Sequence, residues 1–126
     1  MPLKNGQRSE ADEQKILFEW ASYLSELENM YAIPNGGKRN VREAADLKRQ
    51  GVRSGVPDIC LALPKGKYHG LYIELKVGRN KPSENQKEWL GKLSKVGYAT
   101  AVCYGFEEAQ KVILDYINLP AKEHSD

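Results

Sequence analysis

Residues 57–77 read PDICLALPKGKYHGLYIELKV, and this stretch predicts two antiparallel strands joined by a hairpin connection. Residues 59–63 form an apolar run that follows a Pro-Asp dipeptide, and a glycine- and proline-containing connection comes next. Residues 71–77 then alternate, with apolar side chains on one face of the strand. The other, polar face of this second strand carries Tyr72, Glu74 and Lys76. The hairpin therefore predicts a sheet with a charged, polar surface.

Apolar periodicity on both sides of the hairpin predicts four helices and two further strands. Helices are predicted over residues 9–30, 42–50, 83–95 and 106–117, with Ser9 and Ser83 as N-caps. Strands are predicted over residues 31–34 and 98–104. The order of helices and strands predicts an α/β fold with a mixed central β-sheet flanked by helices.

Size and composition favour one domain. The chain has 126 residues, 40% of them hydrophobic, and is predicted to form a single domain over residues 1–126, with a core at about 9–118 and a flexible tail at 119–126. Cys60 and Cys103 lie in apolar runs and are predicted to be buried, reduced thiols. Because no signal-peptide pattern or membrane-spanning stretch is evident, we expect a cytoplasmic protein with no membrane partner.

Basic residues are concentrated in the middle of the chain. Residues 38–81 carry a net charge of +7, whereas the rest of the chain carries −5. A basic region between acidic ends suits contact with a polyanion such as DNA, because neutralising phosphates releases counterions. An ordinary solvated, charged surface explains the same pattern equally well.

Asp58, Glu74 and Lys76 are the candidate reacting groups. The hairpin brings both carboxylates and the ammonium group together at the sheet surface. Two neighbouring carboxylates repel unless a cation lies between them, and hard oxygen ligands suit Mg²⁺ or Mn²⁺. Such a cation can activate water against a phosphodiester, and Lys76 can orient that water or stabilise developing charge. Pro-Asp turns and exposed Glu-x-Lys triplets are common by chance, so the placement on adjacent strands carries the prediction.

From Glu10 to about Tyr116 the sequence resembles the VRR-NUC domains of the PD-(D/E)xK nuclease superfamily, especially the small stand-alone members of phages and bacteria. The resemblance is carried by Glu10-x-x-x-Gln14, Asn35-Gly36-Gly37-x-Arg39, Gly51-Val52-x-x-Gly55-Val56-Pro57-Asp58, Glu74-Leu75-Lys76, Gln86-x-x-Trp89, Leu93 and Gly97-Tyr98. It implies a restriction-endonuclease-like fold and a divalent-metal nuclease acting on branched DNA, with stand-alone members looking like homodimeric Holliday-junction resolvases. A bacterial cell or a phage-infected host is the implied setting.

The resemblance also implies roles for individual residues. Asp58, Glu74 and the backbone carbonyl of Leu75 become metal ligands, and Lys76 becomes the catalytic lysine. Gln86 is expected to hydrogen-bond into the site, although its position is also that of an ordinary first-turn helix residue. The first-helix carboxylate matches Glu10, with Glu13 as the alternative that helical spacing cannot separate.

Four residues in loops around the site are predicted to bind DNA phosphates without reading sequence: Lys38, Arg39, Arg53 and Ser54. Two other functions compete with a junction resolvase. One is a linear-duplex or flap nuclease of the same fold, although no separate groove-reading element is evident. The other is a non-catalytic DNA-binding module, which would gain nothing from two carboxylates aimed at phosphate.

Overall fold

A four-stranded mixed sheet lies at the centre of the structure, a computed structural model that describes residues 7–34 and 40–122. Its strands are β1 (Met30–Ala32), β2 (Ile59–Leu61), β3 (Leu71–Lys76) and β4 (Ala99–Tyr104). They lie in the order β1-β2-β3-β4; β2 is antiparallel to both of its neighbours, and β4 is parallel to β3. The predicted fold class is confirmed.

Helices flank the sheet, and side-chain caps mark where some of them begin. They are α1 (Glu10–Ala21), α2 (Val41–Arg49), α3 (Glu84–Lys95) and α4 (Phe106–Ile117), with a short 3₁₀ helix at Ser25–Leu27. Ser9 and Ser83 form capping boxes with the third residues of α1 and α3, so both predicted N-caps are confirmed. A capping box satisfies backbone N–H groups that the first helical turn leaves unpaired, and this fixes where each helix starts.

The predicted first helix is too long. It was expected over residues 9–30, but α1 ends at Ala21. Leu27 in the 3₁₀ helix is also buried, so the apolar spacing continues beyond Ala21. No glycine or proline marks the end of α1. Met30 then opens β1 and pairs with Leu61 of β2. Strand pairing, which is a tertiary interaction, outweighs the local helical pattern here.

The main core lies between one face of the sheet and the helices α1 and α4. Its fully buried side chains include Leu17, Ile59, Leu61, Leu71, Ile73, Leu75 and Ile113. The apolar side chains of β3 that alternation placed on one face all enter this core, which is what period-two spacing predicts. Cys103 and Cys60 are buried free thiols, as predicted.

The second face of the sheet is not a solvated polar surface, and this corrects the sequence-based prediction. Glu74 is 1% exposed and Lys76 is 9% exposed. Helix α3 packs against β4 on this side and sends Gln86 to Glu74, while Tyr98 packs edge-on against Tyr72 at a centroid distance of 5.2 Å. The charged face of β3 is therefore an interior surface, and its charges need partners.

Residues at the C-terminal end contact the β2–β3 connection. Ala121 forms an isolated bridge with Lys65, and the Gly66 N–H donates to the Pro120 carbonyl at 2.6 Å. The described part of the predicted tail thus lies against the hairpin. None of the helices in residues 7–34 and 40–122 combines the length and the apolar character needed to cross a bilayer.

Candidate active site

Asp58 lies directly before β2, where the β2–β3 ladder ends. The register pairs Ile59 with Ile73, so one further step along both strands puts Asp58 opposite Glu74. Instead of a ladder bond, the Asp58 Oδ2 atom accepts the Leu75 backbone N–H at 2.8 Å. In an extended strand the N–H and C=O of one residue point to the same side. The Leu75 carbonyl therefore faces the side on which Asp58 lies.

The two carboxylate oxygens of Glu74 differ in their hydrogen bonding. Its Oε2 atom accepts a hydrogen bond from Gln86 Nε2 at 3.0 Å and lies 3.5 Å from Lys76 Nζ. Its Oε1 atom is buried and has no hydrogen-bond partner among the described residues. Leaving a buried carboxylate oxygen unpaired is costly, so this atom marks a place where a cation would be stabilising.

Burial, and after it the negative charge of Asp58, together raise the pKa of Glu74 from its ordinary value to about 8, while the Lys76 ammonium opposes the shift. A carboxyl group with this pKa keeps its proton at neutral pH unless a positive charge arrives. The pair Asp58–Glu74 is therefore arranged so that a bound cation and an ionised Glu74 stabilise each other.

The donors around Asp58 fit a hard divalent cation. Two carboxylates and one backbone carbonyl supply oxygen only, the ligand type that Mg²⁺ and Mn²⁺ prefer. Across residues 7–34 and 40–122, no three His, Cys, Asp or Glu side chains are grouped closely enough to hold a metal by themselves. The protein thus supplies only part of an octahedral shell, which suits an ion that retains several waters.

A cleft of about 490 Å³ opens beside Asp58 along α1. Its lining residues are Glu10, Ala11, Gln14, Lys15, Phe18, Asp58 and Leu75. Glu10 lines this cleft and accepts from Asn80 Nδ2 at 3.5 Å, whereas Glu13 is paired with Arg8 at 3.4 Å. Of the two first-helix carboxylates that spacing left open, the structure brings Glu10 to the cleft with Asp58.

Gln86 both caps the start of α3 and hydrogen-bonds to a site carboxylate. Its Oε1 atom accepts the Ser83 backbone N–H at 2.8 Å as part of the capping box, and its Nε2 atom donates to Glu74. The helix start and the site are therefore joined through one side chain. The capping contact and the contact with Glu74 are therefore compatible, because they use different atoms of the Gln86 amide.

The loop before Asp58 is held against the start of α3. Ser54 Oγ accepts from Asn85 Nδ2 at 3.2 Å, and Gly55 adopts φ +91°. A Cβ at Gly55 would lie 2.9 Å from the backbone carbon and oxygen of Asn85, so only glycine permits this approach. The contact positions Pro57 and Asp58 relative to α3.

Of the four predicted phosphate-binding residues, the structure describes Arg53 and Ser54. Arg53 is exposed and its Nη1 donates to the Lys48 carbonyl at 3.3 Å, while Ser54 is bonded within the protein. Lys38 and Arg39 lie outside the described residues.

The sequence did not single out two further residues near the site, Lys15 and Asn80. Asn80 follows the Glu-x-Lys triplet by four residues in a Gly-Arg-Asn turn, and that turn was its only signal.

A mixed sheet flanked by helices, with an acidic pair and a lysine at the end of a hairpin, defines a PD-(D/E)xK nuclease-like protein. The VRR-NUC domain family matches residues 4–107, and the chain belongs to this family. It is similar to a solved structure named "VRR_NUC domain protein", with 31% identity, a TM-score of 0.84 and coverage of 96% of both chains. No curated protein matches the chain.

Membership of the VRR-NUC family implies a nuclease-type function with DNA as the substrate. Domains of this family generally use divalent metals. The oxygen donors around Asp58 and the unpaired Glu74 Oε1 atom agree with such an ion.

Proposed function

We propose that this chain is a Mg²⁺- or Mn²⁺-dependent DNA endonuclease that cuts branched DNA, acting as a homodimeric Holliday-junction resolvase. The observation that carries the nuclease chemistry is the buried Glu74 carboxylate, which faces Asp58 and keeps one oxygen without a hydrogen-bond partner in the described part of the chain. Neither a stability role nor a binding-only role accounts for this pair, because the two carboxylates repel each other and would repel phosphate.

Asp58, Glu74 and the Leu75 carbonyl are the proposed ligands. When bound there, a divalent cation supplies Lewis-acid activation of the phosphodiester. Asp58 is oriented by the Leu75 N–H at 2.8 Å, and Glu74 by Gln86 at 3.0 Å. Both carboxylates are thus held in place before any substrate arrives, which is how a preorganised site lowers a reaction barrier.

Lys76 is the proposed catalytic cation. Its ammonium group lies 3.5 Å from Glu74 Oε2 and its side chain is only 11% exposed. A positive charge held in a mostly buried position is screened little by water, so it can stabilise the charge that develops on a reacting phosphate. Glu10 lines the same cleft as Asp58 and is the proposed accessory carboxylate.

DNA contacts outside the reacting centre are proposed for Lys38, Arg39, Arg53 and Ser54. The exposed Arg53 guanidinium belongs to the loop that Ser54 joins to α3, so a phosphate held there would have a defined position relative to Asp58. Contacts to phosphates set the position of the duplex without reading its sequence. This suits recognition of a branched shape.

The experiment compares cleavage of a labelled four-way junction with cleavage of a linear duplex of the same sequence. Wild type and Lys76→Met are assayed with Mg²⁺, Mn²⁺ or EDTA, and Lys87→Met is the matched control, because Lys87 is an exposed lysine paired with Glu84 on α3. We expect paired nicks on the junction in either metal, no cutting in EDTA, and loss of cutting in Lys76→Met only.

Three other outcomes contradict parts of the proposal. Equal cutting of junction and duplex removes the branch specificity and favours a linear-duplex nuclease. Cutting in EDTA would show that the reaction needs no divalent metal. Tight binding without cutting in any metal leaves a DNA-binding module.

The homodimer is tested separately by sedimentation of the protein alone and on junction DNA. Two symmetric nicks in a four-way junction require two sites related by a two-fold axis, which a dimer supplies. Sedimentation as a monomer under both conditions, at the concentration that cuts, would contradict the dimer.

A further inference from the structure

The cleft along α1 carries a positive charge to which the proposed reaction assigns no role. Glu10 and Asp58 contribute two carboxylates to the lining, and Lys15 is the sole cation among the described residues that line it. A DNA strand that reaches Asp58 through this cleft brings one negative charge per phosphate. Strand binding beside two carboxylates therefore needs a positive group on the same wall.

Two other cations, Lys76 in the site and Arg8 before α1, are already engaged. Lys76 is 9% exposed and lies 3.5 Å from Glu74, and Arg8 lies 3.4 Å from Glu13. Lys15 differs, since it is exposed and takes part in no ion pair or side-chain hydrogen bond within residues 7–34 and 40–122. Its ammonium group is free to meet an incoming phosphate.

The backbone that carries Lys15 is fixed. It belongs to the second turn of α1, whose Leu17 and Ala21 are buried in the core. The helix start is held by the Ser9–Asp12 capping box. A flexible lysine side chain on a fixed backbone can bind a phosphate through its charge alone, without recognising the nucleobase attached to that phosphate.

We infer that Lys15 binds a backbone phosphate of the strand being cut, next to the scissile bond, and this inference rests on the proposed nuclease function. Lys15 is a substrate-binding residue rather than a catalytic one. Its contribution is expected in the affinity for DNA and in KM, while kcat depends on Asp58, Glu74 and Lys76.

The test uses the full chain with Lys15→Gln, Lys15→Arg and the control Lys111→Gln, an exposed lysine on α4 that is paired with Asp115 and does not line the cleft. Binding to a labelled four-way junction and to a duplex is measured in EDTA over a series of salt concentrations. For Lys15→Gln we expect binding weakened about fivefold on both DNAs and a log–log salt slope smaller by about 1, the signature of one lost phosphate contact.

Cleavage kinetics in Mg²⁺ supply the second readout. We expect Lys15→Gln to raise KM about fivefold with kcat within about twofold of wild type, Lys15→Arg to restore KM, and Lys111→Gln to behave as wild type. An unchanged salt slope with unchanged KM overturns the inference, and so does a lower kcat at constant KM.

Failure of the proposed function would look different. If wild type binds DNA but cuts in no metal, the nuclease is lost and the salt slopes alone decide whether Lys15 contacts phosphate. A wild type that binds no DNA would overturn the inference about Lys15.

Discussion

The two sides of the site are built differently. On the α3 side, Gln86 and Lys76 approach Glu74 to 3.0 and 3.5 Å, and the loop at Gly55 touches the backbone of Asn85. On the α1 side, Asp58 borders an open cleft of about 490 Å³ with the exposed Lys15. The difference suits a division of roles under the proposed function: contacts on the α3 side hold the proposed reacting groups in place, and the α1 side leaves space for a substrate.

The largest effect is expected on the fixed side, at Lys76. Replacing Lys76 by Met keeps most of its volume but removes the charge beside Glu74, and we expect the cleavage rate to fall about 1,000-fold, or about 4 kcal/mol in activation free energy. Single-turnover rates on the preferred DNA measure this. A rate within tenfold of wild type, with an unchanged melting temperature, would show that the charge on the fixed side is not catalytic.

Glu74 gives the next largest effect, in the stability of the metal-free protein. Its folded pKa of about 8 exceeds the ordinary value of 4.5 because of burial and the nearby Asp58, with Lys76 opposing. The stabilisation from this proton is therefore complete below about pH 4.5 and is lost as the pH rises towards about 8.

Glu74→Gln is expected to remove that dependence. In EDTA it should be more stable than wild type by roughly 3 kcal/mol near about pH 8 and by little near about pH 5. Urea unfolding of both proteins at the two pH values measures the difference. An equal difference at both values would show that Glu74 is already ionised without a cation.

Gly55 tests the contact that holds the fixed side together. Gly55→Ala places a Cβ against the Asn85 backbone and strains a positive φ, and we expect a loss of about 2 to 3 kcal/mol in unfolding free energy. Gly51→Ala is the matched control, because Gly51 has φ +102° but no atom within 4 Å of the added Cβ. Equal losses in the two variants would mean that backbone strain alone, and not the contact with α3, sets the cost.

Gln86 should give the smallest effect and the sharpest comparison. Gln86→Ala removes both the Glu74 hydrogen bond and half of the capping box, whereas Ser83→Ala disturbs the cap alone. Both should lose about 1 kcal/mol of stability. Only Gln86→Ala should slow cleavage, about tenfold, and raise the half-saturating metal concentration. Similar kinetics in both variants would assign Gln86 to the helix cap alone.

Local signals in the sequence were enough to locate most elements. The α4 bounds agree with the prediction, since Gly105 precedes the helix and the apolar spacing ends with it. The hairpin pairing and the capping residues Ser9 and Ser83 are also local features, encoded within a few residues of one another.

What the sequence did not show depends on contacts between distant segments. Alternation placed Glu74 and Lys76 on one face but could not reveal that α3 covers it, so their burial was missed. The end of α1 was missed because β1 pairs with a strand about thirty residues away. Lys15 was not singled out because its position beside Asp58 exists only once α1 has packed on the sheet.

Placement on the hairpin predicts Asp58, Glu74 and Lys76 as site residues, and the resemblance to VRR-NUC domains adds Gln86 and Glu10; the structure brings most of these side chains together. Asp58, Glu74, Lys76 and Gln86 meet at one end of the sheet, and Glu10 lines the same cleft as Asp58. Spacing along α1 could not separate Glu10 from Glu13, because residues three apart lie on nearly the same helix face. The partners Asn80 and Arg8, which come from outside that helix segment, separate them in space.

The double engagement of Gln86 constrains which amino acid can stand there. At the third position of a capping box, glutamate and glutamine are ordinarily interchangeable. In α3 the side-chain oxygen is occupied by the Ser83 N–H, so the remaining group must point at the Glu74 carboxylate and must be a donor. Glutamate would place a second anion there. Among relatives that keep the acidic pair, this helix position should therefore accept an amide and reject its isosteric acid, although the helix by itself would tolerate either.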